Sequence, residues 1–274
     1  MRIAETREAL LDTLKDAPCE TREFVPTMGA LHEGHLSLVR AARRNGGTVV
    51  ASIFVNPTQF NDPNDLKNYP RTPEQDMAML RTEGVEVVFM PTVEEIYPAD
   101  AEREKENEWD FGELDKVMEG ATRPGHFQGV AQVVSKLFEL VQPARAYFGQ
   151  KDYQQVAIIR EMVRQARERG ETWAEAEIVE CPTVREEDGL AMSSRNALLT
   201  PAHRAAAPDI HRALRLGALK AGELSPRELE RYVRAEIERS GVLKMIYFDR
   251  MGPQACIAVQ AGDVRLIDNM RYDN

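Results

Sequence analysis

Val25-Pro26-Thr27-Met28-Gly29-Ala30-Leu31-His32-Glu33-Gly34-His35 is the stretch from which the rest of the chain is read. Phe24 and Val25 end a short apolar run, and Leu36, Leu38, Val39, Ala41 and Ala42 then recur at the spacing of a helix with one buried stripe. Two glycines and two histidines therefore fall on a strand-to-helix turn. The first N–H groups of a helix have no intrahelical partner and carry partial positive charge, so such a corner suits a phosphate. Gly29 and Gly34 allow close backbone approach, while His32 and His35 add ring donors that can turn cationic. Three residues apart, the two rings share one helix face. A metal pair would need a third ligand nearby, and the H-E-x-x-H order is missing, so an anion site is favoured.

The same design repeats downstream. Residues 48–55 are β-branched and apolar, as a strand buried on both faces requires. Thr72 then reads as an N-cap, with Pro73 in the first helical position and Gln75 reaching back in a capping box. Met77, Met79 and Leu80 supply that helix's apolar face, and Gly84 ends it. A strand is predicted over 85–90, a helix over 130–141, a strand over 146–148 and a helix over 153–169. Strand and helix alternating across short links predict an α/β fold, a Rossmann-like doubly wound parallel sheet. Such sheets bind ligands beyond the carboxyl ends of their strands. His32 and His35, Asn56 and Gln59, and Lys151 and Asp152 each follow a predicted strand and are expected to meet in one crevice.

Residues 100–109 are heavily charged and read as a solvated excursion. Residues 122–127 read as a mobile loop from which Arg123 approaches phosphates. Past Pro182 the pattern changes to helices over 201–221 and 226–239, the second capped by Ser225, then strands over 244–248 and 263–267. Two domains are expected, 1–182 as the Rossmann-like part and 183–274 as a smaller α+β part.

Composition narrows the partners. A net charge of −10 argues against a general nucleic-acid binder, which shows a basic face, yet allows a local cationic pocket. Three cysteines, Cys19, Cys181 and Cys256, form no C-x-x-C pair and support neither a disulfide framework nor a zinc ribbon. No stretch approaches membrane-spanning length and the first residues lack a signal-like apolar run, so a cytoplasmic protein is expected.

Three more stretches offer chemistry. Asn56 and Gln59 offer neutral donors and acceptors suited to a hydroxy acid, although a polar turn fixed by Pro57 explains them equally simply. Lys151 can reach a phosphate and Asp152 a ribose hydroxyl, the alternative being a solvated helix start capped by Asp152. Ser193, Ser194 and Arg195 form a compact set of phosphate donors, with a capped turn as the plainer alternative. Asp76 is placed to hold Mg²⁺ indirectly, through water. His203 and His211 fall on a helix as surface or packing residues.

These motifs together resemble the pantoate–β-alanine ligase (pantothenate synthetase) family of the nucleotidyltransferase superfamily. The resemblance is carried by residues 26–35, by Phe54-Val55-Asn56-Pro57-Thr58-Gln59-Phe60 and by Arg123-Pro124-Gly125-His126-Phe127-Gln128-Gly129-Val130. Phe148-Gly149-Gln150-Lys151-Asp152-Tyr153-Gln154-Gln155, residues 188–196 and Val264-Arg265-Leu266-Ile267-Asp268-Asn269 complete it. Gln150 stands where many relatives have glutamate. The resemblance implies ATP-dependent condensation of pantoate with β-alanine through a pantoyl adenylate, releasing pyrophosphate and AMP. It implies an ATP site lined by Met28, Gly29, Ala30, Leu31, His32, Glu33, Gly34 and His35, by Gly149, Gln150, Lys151 and Asp152, by the backbone of Val184, and by Met192, Ser193, Ser194 and Arg195. His32, His35, Lys151 and Arg195 would be catalytic, with His35 as proton donor. Gln59 and Gln155 would hold pantoate, and Gln59 would also touch β-alanine. Mg²⁺ would accompany ATP, the smaller domain would close over the site, and the assembly would be a homodimer. Competing readings are a nucleotidyltransferase acting on a phosphate ester, a tRNA synthetase and an inactive nucleotide-binding regulator.

Overall fold

A computed structural model describes residues 1–98 and 109–273. Six parallel strands form one sheet: β1 (Arg2–Ala4), β2 (Arg22–Thr27), β3 (Thr48–Ile53), β4 (Val87–Phe89), β5 (Arg145–Gly149) and β6 (Glu177–Cys181). Their order in space is β1-β4-β3-β2-β5-β6. The chain winds outward from β2 through β3 and β4 on one side, and through β5 and β6 on the other. The winding therefore reverses between β2 and β5, where a doubly wound sheet opens its ligand crevice. Thr27 and Gly149 stand at those two strand ends.

Helices α1 (Arg7–Leu14), α2 (Glu33–Arg43), α3 (Pro63–Asn68), α4 (Pro73–Thr82), α5 (Val93–Ile96), α6 (Met118–Thr122), α7 (His126–Val141) and α8 (Tyr153–Arg169) connect the strands. Successive strand side chains point to opposite faces, and this alternation sorts the core into two layers. Phe24, Val50, Val87, Phe89, Ala146 and Phe148 join Leu10 and Leu14 of α1, Phe138 of α7 and Met162 of α8. Val25, Val49, Ala51, Val88 and Tyr147 join Leu38, Val39 and Ala42 of α2 and Leu80 of α4. Burial on both faces is the reason the central strands read as apolar runs.

Residues 1–150 and 154–181 form one compact unit, and residues 151–153 and 182–274 form another. The second holds α9 (Pro201–Ala206), α10 (Asp209–Lys220), α11 (Pro226–Glu238) and an antiparallel sheet of β7 (Lys244–Met251), β8 (Gln254–Ala261) and β9 (Val264–Arg271). Its core sets Ala255, Ile257 and Val259 of β8 against Ile210 and Leu214 of α10 and Leu229 and Val233 of α11. Among the described residues no helix is long and apolar enough to cross a membrane.

Several expectations are corrected. Helix α7 begins at His126 rather than 130, and α6 ends at Thr122, so residues 122–127 are a tight junction. His126 and Phe127 are buried there. The helix expected over 201–221 breaks at Pro208, whose missing N–H cannot continue it. Thr72 makes no side-chain cap to its helix, so the capping box with Gln75 is absent. Most of the charged excursion, 99–108, lies outside the described residues, but Trp109 at its end is buried against Trp173. The sequence pattern predicts none of strands β1, β6 and β8.

The smaller unit buries a histidine against cations. Nδ1 of His211, on α10, is buried without a hydrogen-bond partner among the described residues. Burial first, then the charge of Arg185, pushes the His211 pKa below its ordinary 6.5; Arg215 adds to this and Asp268 opposes it. The unfolded chain thus binds a proton near pH 6.5 that the native chain resists. Stability contributed here is present above pH 6.5 and is lost as pH falls. Urea midpoints of the chain are expected to drop below pH 6.5, and His211→Gln to flatten that slope. An identical slope in the variant would contradict this assignment.

Candidate active site

Where β2 hands over to α2, the backbone turns sharply. Gly29 has φ +79° and Ala30 φ +49°, a left-handed conformation that costs a residue with a Cβ about 1–2 kcal/mol. Asp76, buried at the start of α4, holds this turn from behind. Its Oδ2 accepts the N–H of Ala30 at 2.9 Å and its Oδ1 the N–H of Leu31 at 2.8 Å. The Thr72 hydroxyl donates to the same Oδ1 at 3.0 Å, which is what Thr72 does in place of capping. A Cβ on Gly29 would lie 3.0 Å from Asp76 Oδ2, so glycine is needed for space as well as for φ.

His32 and His35 cap α2 reciprocally. Nδ1 of His32 accepts the Gly34 N–H at 3.1 Å, and Nδ1 of His35 accepts the His32 N–H at 3.3 Å. The ring centroids are 4.1 Å apart. Because each Nδ1 is an acceptor, each neutral ring carries its proton on Nε2 and presents an N–H donor there. The backbone donors of the corner are largely consumed inside it: Ala30 and Leu31 on Asp76, Gly34 and His35 on His32. The helix-start N–H groups expected to face a phosphate are thus largely engaged within the corner itself.

The turn after β3 is built around Asn56, which is 1% exposed. Its Oδ1 accepts from the Thr58 hydroxyl at 3.1 Å and the Tyr97 hydroxyl at 2.9 Å, and its Nδ2 donates to the Gly129 carbonyl at 3.0 Å. Asn56 is thus the scaffold of the turn. Gln59 is what it presents: Gln59 Nε2 donates to Met28 Sδ at 2.8 Å, which joins the second strand end to the first. His126 Nδ1 lies 2.7 Å from the Gln59 carbonyl. Gly129 lets α7 press on this turn, since a Cβ there would fall 2.4 Å from the Thr58 carbonyl oxygen. Arg123 packs here too, with Nε 3.2 Å from Asn61 Oδ1, rather than on a mobile loop.

At the end of β5, Gln150 Nε2 donates to Glu180 Oε1 at 2.9 Å. The neighbouring glutamines of α8 divide their tasks. Gln154 is buried and donates to the Leu114 and Val117 carbonyls at 2.7 and 2.9 Å, whereas Gln155 is half-buried on the next position of the helix.

In the smaller unit, Lys151 Nζ lies 3.7 Å from Asp152 Oδ2. Met192 donates its N–H to the Val184 carbonyl at 3.0 Å, closing a hairpin that delivers Ser193. Ser193 Oγ accepts the Arg195 N–H at 3.3 Å and caps a short 3-10 turn over Ser194–Leu198. The structure shows the capped turn that the sequence reading offered as the plainer alternative.

Asp76 is engaged by the loop it supports, and the described residues hold no group of three or more side chains fit to cage a metal ion. Its bonds to that loop give Asp76 a positioning role. Asn56, Thr72, Asp76 and Gly129 are the supports that spacing did not assign. Asp76→Asn would set an amide donor against one of the two loop N–H groups and is expected to cost about 1–3 kcal/mol. Urea unfolding reads the loss, and hydrogen exchange at Ala30 and Leu31 should speed up. Full protection of both amides in the variant would show that the loop is held otherwise.

A family model described as pantoate-beta-alanine ligase matches residues 2–271. The chain is 48% identical to the pantothenate synthetase of Bacteroides thetaiotaomicron, over 96% of this chain and 98% of that one. It is 45% identical to the Aquifex aeolicus pantothenate synthetase over 97% and 96%. The crystal structure of pantothenate synthetase from Thermus thermophilus superposes with a TM-score of 0.89 at 42% identity over all of both chains. That of pantoate-beta-alanine ligase from Francisella tularensis, complexed with beta-gamma ATP and beta-alanine, gives 0.85 at 35% identity over 100% and 98%. By motif, fold and full-length similarity, the chain belongs to the pantoate–β-alanine ligase family.

Proposed function

We propose that this enzyme joins pantoate to β-alanine at the expense of ATP. The observation that carries the reading is the reciprocal His32–His35 cap, with Gln59 in contact with Met28 beside it. In the first step a pantoate carboxylate oxygen attacks the α-phosphorus of ATP. The bond from that phosphorus to the bridging oxygen breaks, and pyrophosphate leaves. Negative charge builds on the phosphate oxygens as this happens, so fixed donors aimed at them lower the barrier. The two Nε2–H groups of His32 and His35 serve there, with His35 donating toward the departing pyrophosphate. Lys151, Ser193, Ser194 and Arg195 supply further phosphate ligands, and Asp152 accepts from the ribose.

In the second step the β-alanine amine attacks the acyl carbon of the adenylate. The acyl–oxygen bond to phosphate breaks, AMP departs, and the amine nitrogen gives up a proton. No new charge has to be stabilised at the level of the first step, so orientation and exclusion of water matter most. Gln59 and Gln155 hold pantoate, Gln59 also borders β-alanine, and Val184 offers its backbone to adenine. Mg²⁺ enters with ATP as part of the substrate, held chiefly by phosphate oxygens. The resemblance supports a homodimer, and the acidic composition speaks against a general nucleic-acid partner.

ATP–pyrophosphate exchange with pantoate, without β-alanine, is the direct test. Exchange should depend on pantoate, and AMP should appear only when β-alanine is added. Exchange supported by another acid but not by pantoate would refute the substrate assignment. His35→Ala is expected to slow exchange by about 10²–10³-fold. Gly129→Ala should push the turn that carries Gln59 and raise the KM for pantoate by about tenfold or more while leaving ATP affinity near its original value. Equal effects on both substrates would argue against that local account.

A further inference from the structure

We propose that Asp268 and Asn269, adjacent on β9, are positioning residues for the two nucleotide-binding segments of the smaller unit. Asn269 acts through the backbone of Lys151, and Asp268 through Arg185 and the hairpin that delivers Ser193–Arg195. The proposal rests on the reading of Lys151 and Arg195 as phosphate ligands. Nδ2 of Asn269 donates to the Lys151 carbonyl at 2.9 Å, although 118 residues separate them. Its Oδ1 accepts from Gln254 Nε2 at 2.6 Å, so the carboxamide is oriented from the far side.

Asp268 takes a bidentate fork from Arg185, Nη1 to Oδ2 at 2.6 Å and Nη2 to Oδ1 at 2.9 Å. Oδ1 also accepts the N–H of Asn269 at 2.8 Å, which links the two branches. Arg185 Nη1 reaches the Gly189 carbonyl at 3.2 Å, and Arg185 bridges Ala191, one residue before Met192 and two before Ser193. Gln254, Asp268 and Asn269 are each only 4% exposed. Burying such a polar set gains little stability over apolar packing of the same volume. A fully satisfied network instead fixes geometry, and each arm here ends on a backbone that carries a phosphate ligand.

The experiment measures ATP affinity by calorimetry, and pantoate-dependent exchange, for the full chain and for Asn269→Ala, Lys151→Ala and the double variant. Asn269→Ala is expected to weaken ATP binding about tenfold and to lower exchange turnover with little change in pantoate KM, as misplacing a catalytic group does. The double variant should bind ATP no more weakly than Lys151→Ala alone, because Asn269 acts through Lys151. Asp268→Asn should weaken ATP as strongly in the Lys151→Ala background as in the parent chain, yet add nothing to Arg195→Ala. ATP affinity unchanged in Asn269→Ala, or losses that multiply in the double variant, would overturn the proposal. Should Asn269→Ala fail to fold, Asn269→Ser, too short to reach the Lys151 carbonyl, takes its place. A parent chain that binds ATP but lacks pantoate-dependent exchange would refute the substrate reading, while the affinity cycle would still decide the positioning role.

Discussion

The reactive corner depends on two hydrogen bonds, from the Ala30 and Leu31 N–H groups to the Asp76 carboxylate. They hold a backbone that an alanine with φ +49° would otherwise leave. Strain of this kind persists only where surrounding structure over-determines it. Once the turn is fixed, His32 falls at the N-cap of α2 and His35 one turn along, close enough to exchange caps. The direction of both Nε2 donors follows from that exchange. A side chain on a neighbouring βα unit thus sets the geometry of groups it never touches.

The architecture was legible because burial on two faces leaves an unmistakable trace. Residues 48–55 and 85–90 read as strands since nearly every position must be apolar there. Strand β8 was not legible: Ala255, Ala258 and Ala261 have weak strand preference, and Gly252 and Pro253 just before it are turn residues. Strand β6 lies at the sheet edge and carries two glutamates in five residues, so Glu177 and Glu180 concealed it. At the site, residues with distinctive chemistry were readable, but those that hold them were not. Thr72 and Asp76 looked like a helix start and a metal contact. The partners of Asp76, Ala30 and Leu31, lie more than forty residues away, beyond the reach of local spacing.

Gln59 shows the same division between presenting and supporting residues. Its neighbour Asn56 has the richer polar chemistry, yet Asn56 spends it on Gly129, Thr58 and Tyr97. Burial pushes the Tyr97 phenol up to about 12, so it remains a donor to Asn56 throughout the working range. Gln154 and Gln155 divide in the same way, one consumed by carbonyls of the segment before α6 and the other left nearer the surface. In both pairs the more deeply buried residue is held by several internal partners and serves as a support.

The caps also restrict how charge can be supplied to the first chemical step. Protonation at Nδ1 of either histidine would place a donor against a backbone N–H and undo the start of α2. The rings are therefore suited to act as neutral Nε2–H donors, each aimed by its cap.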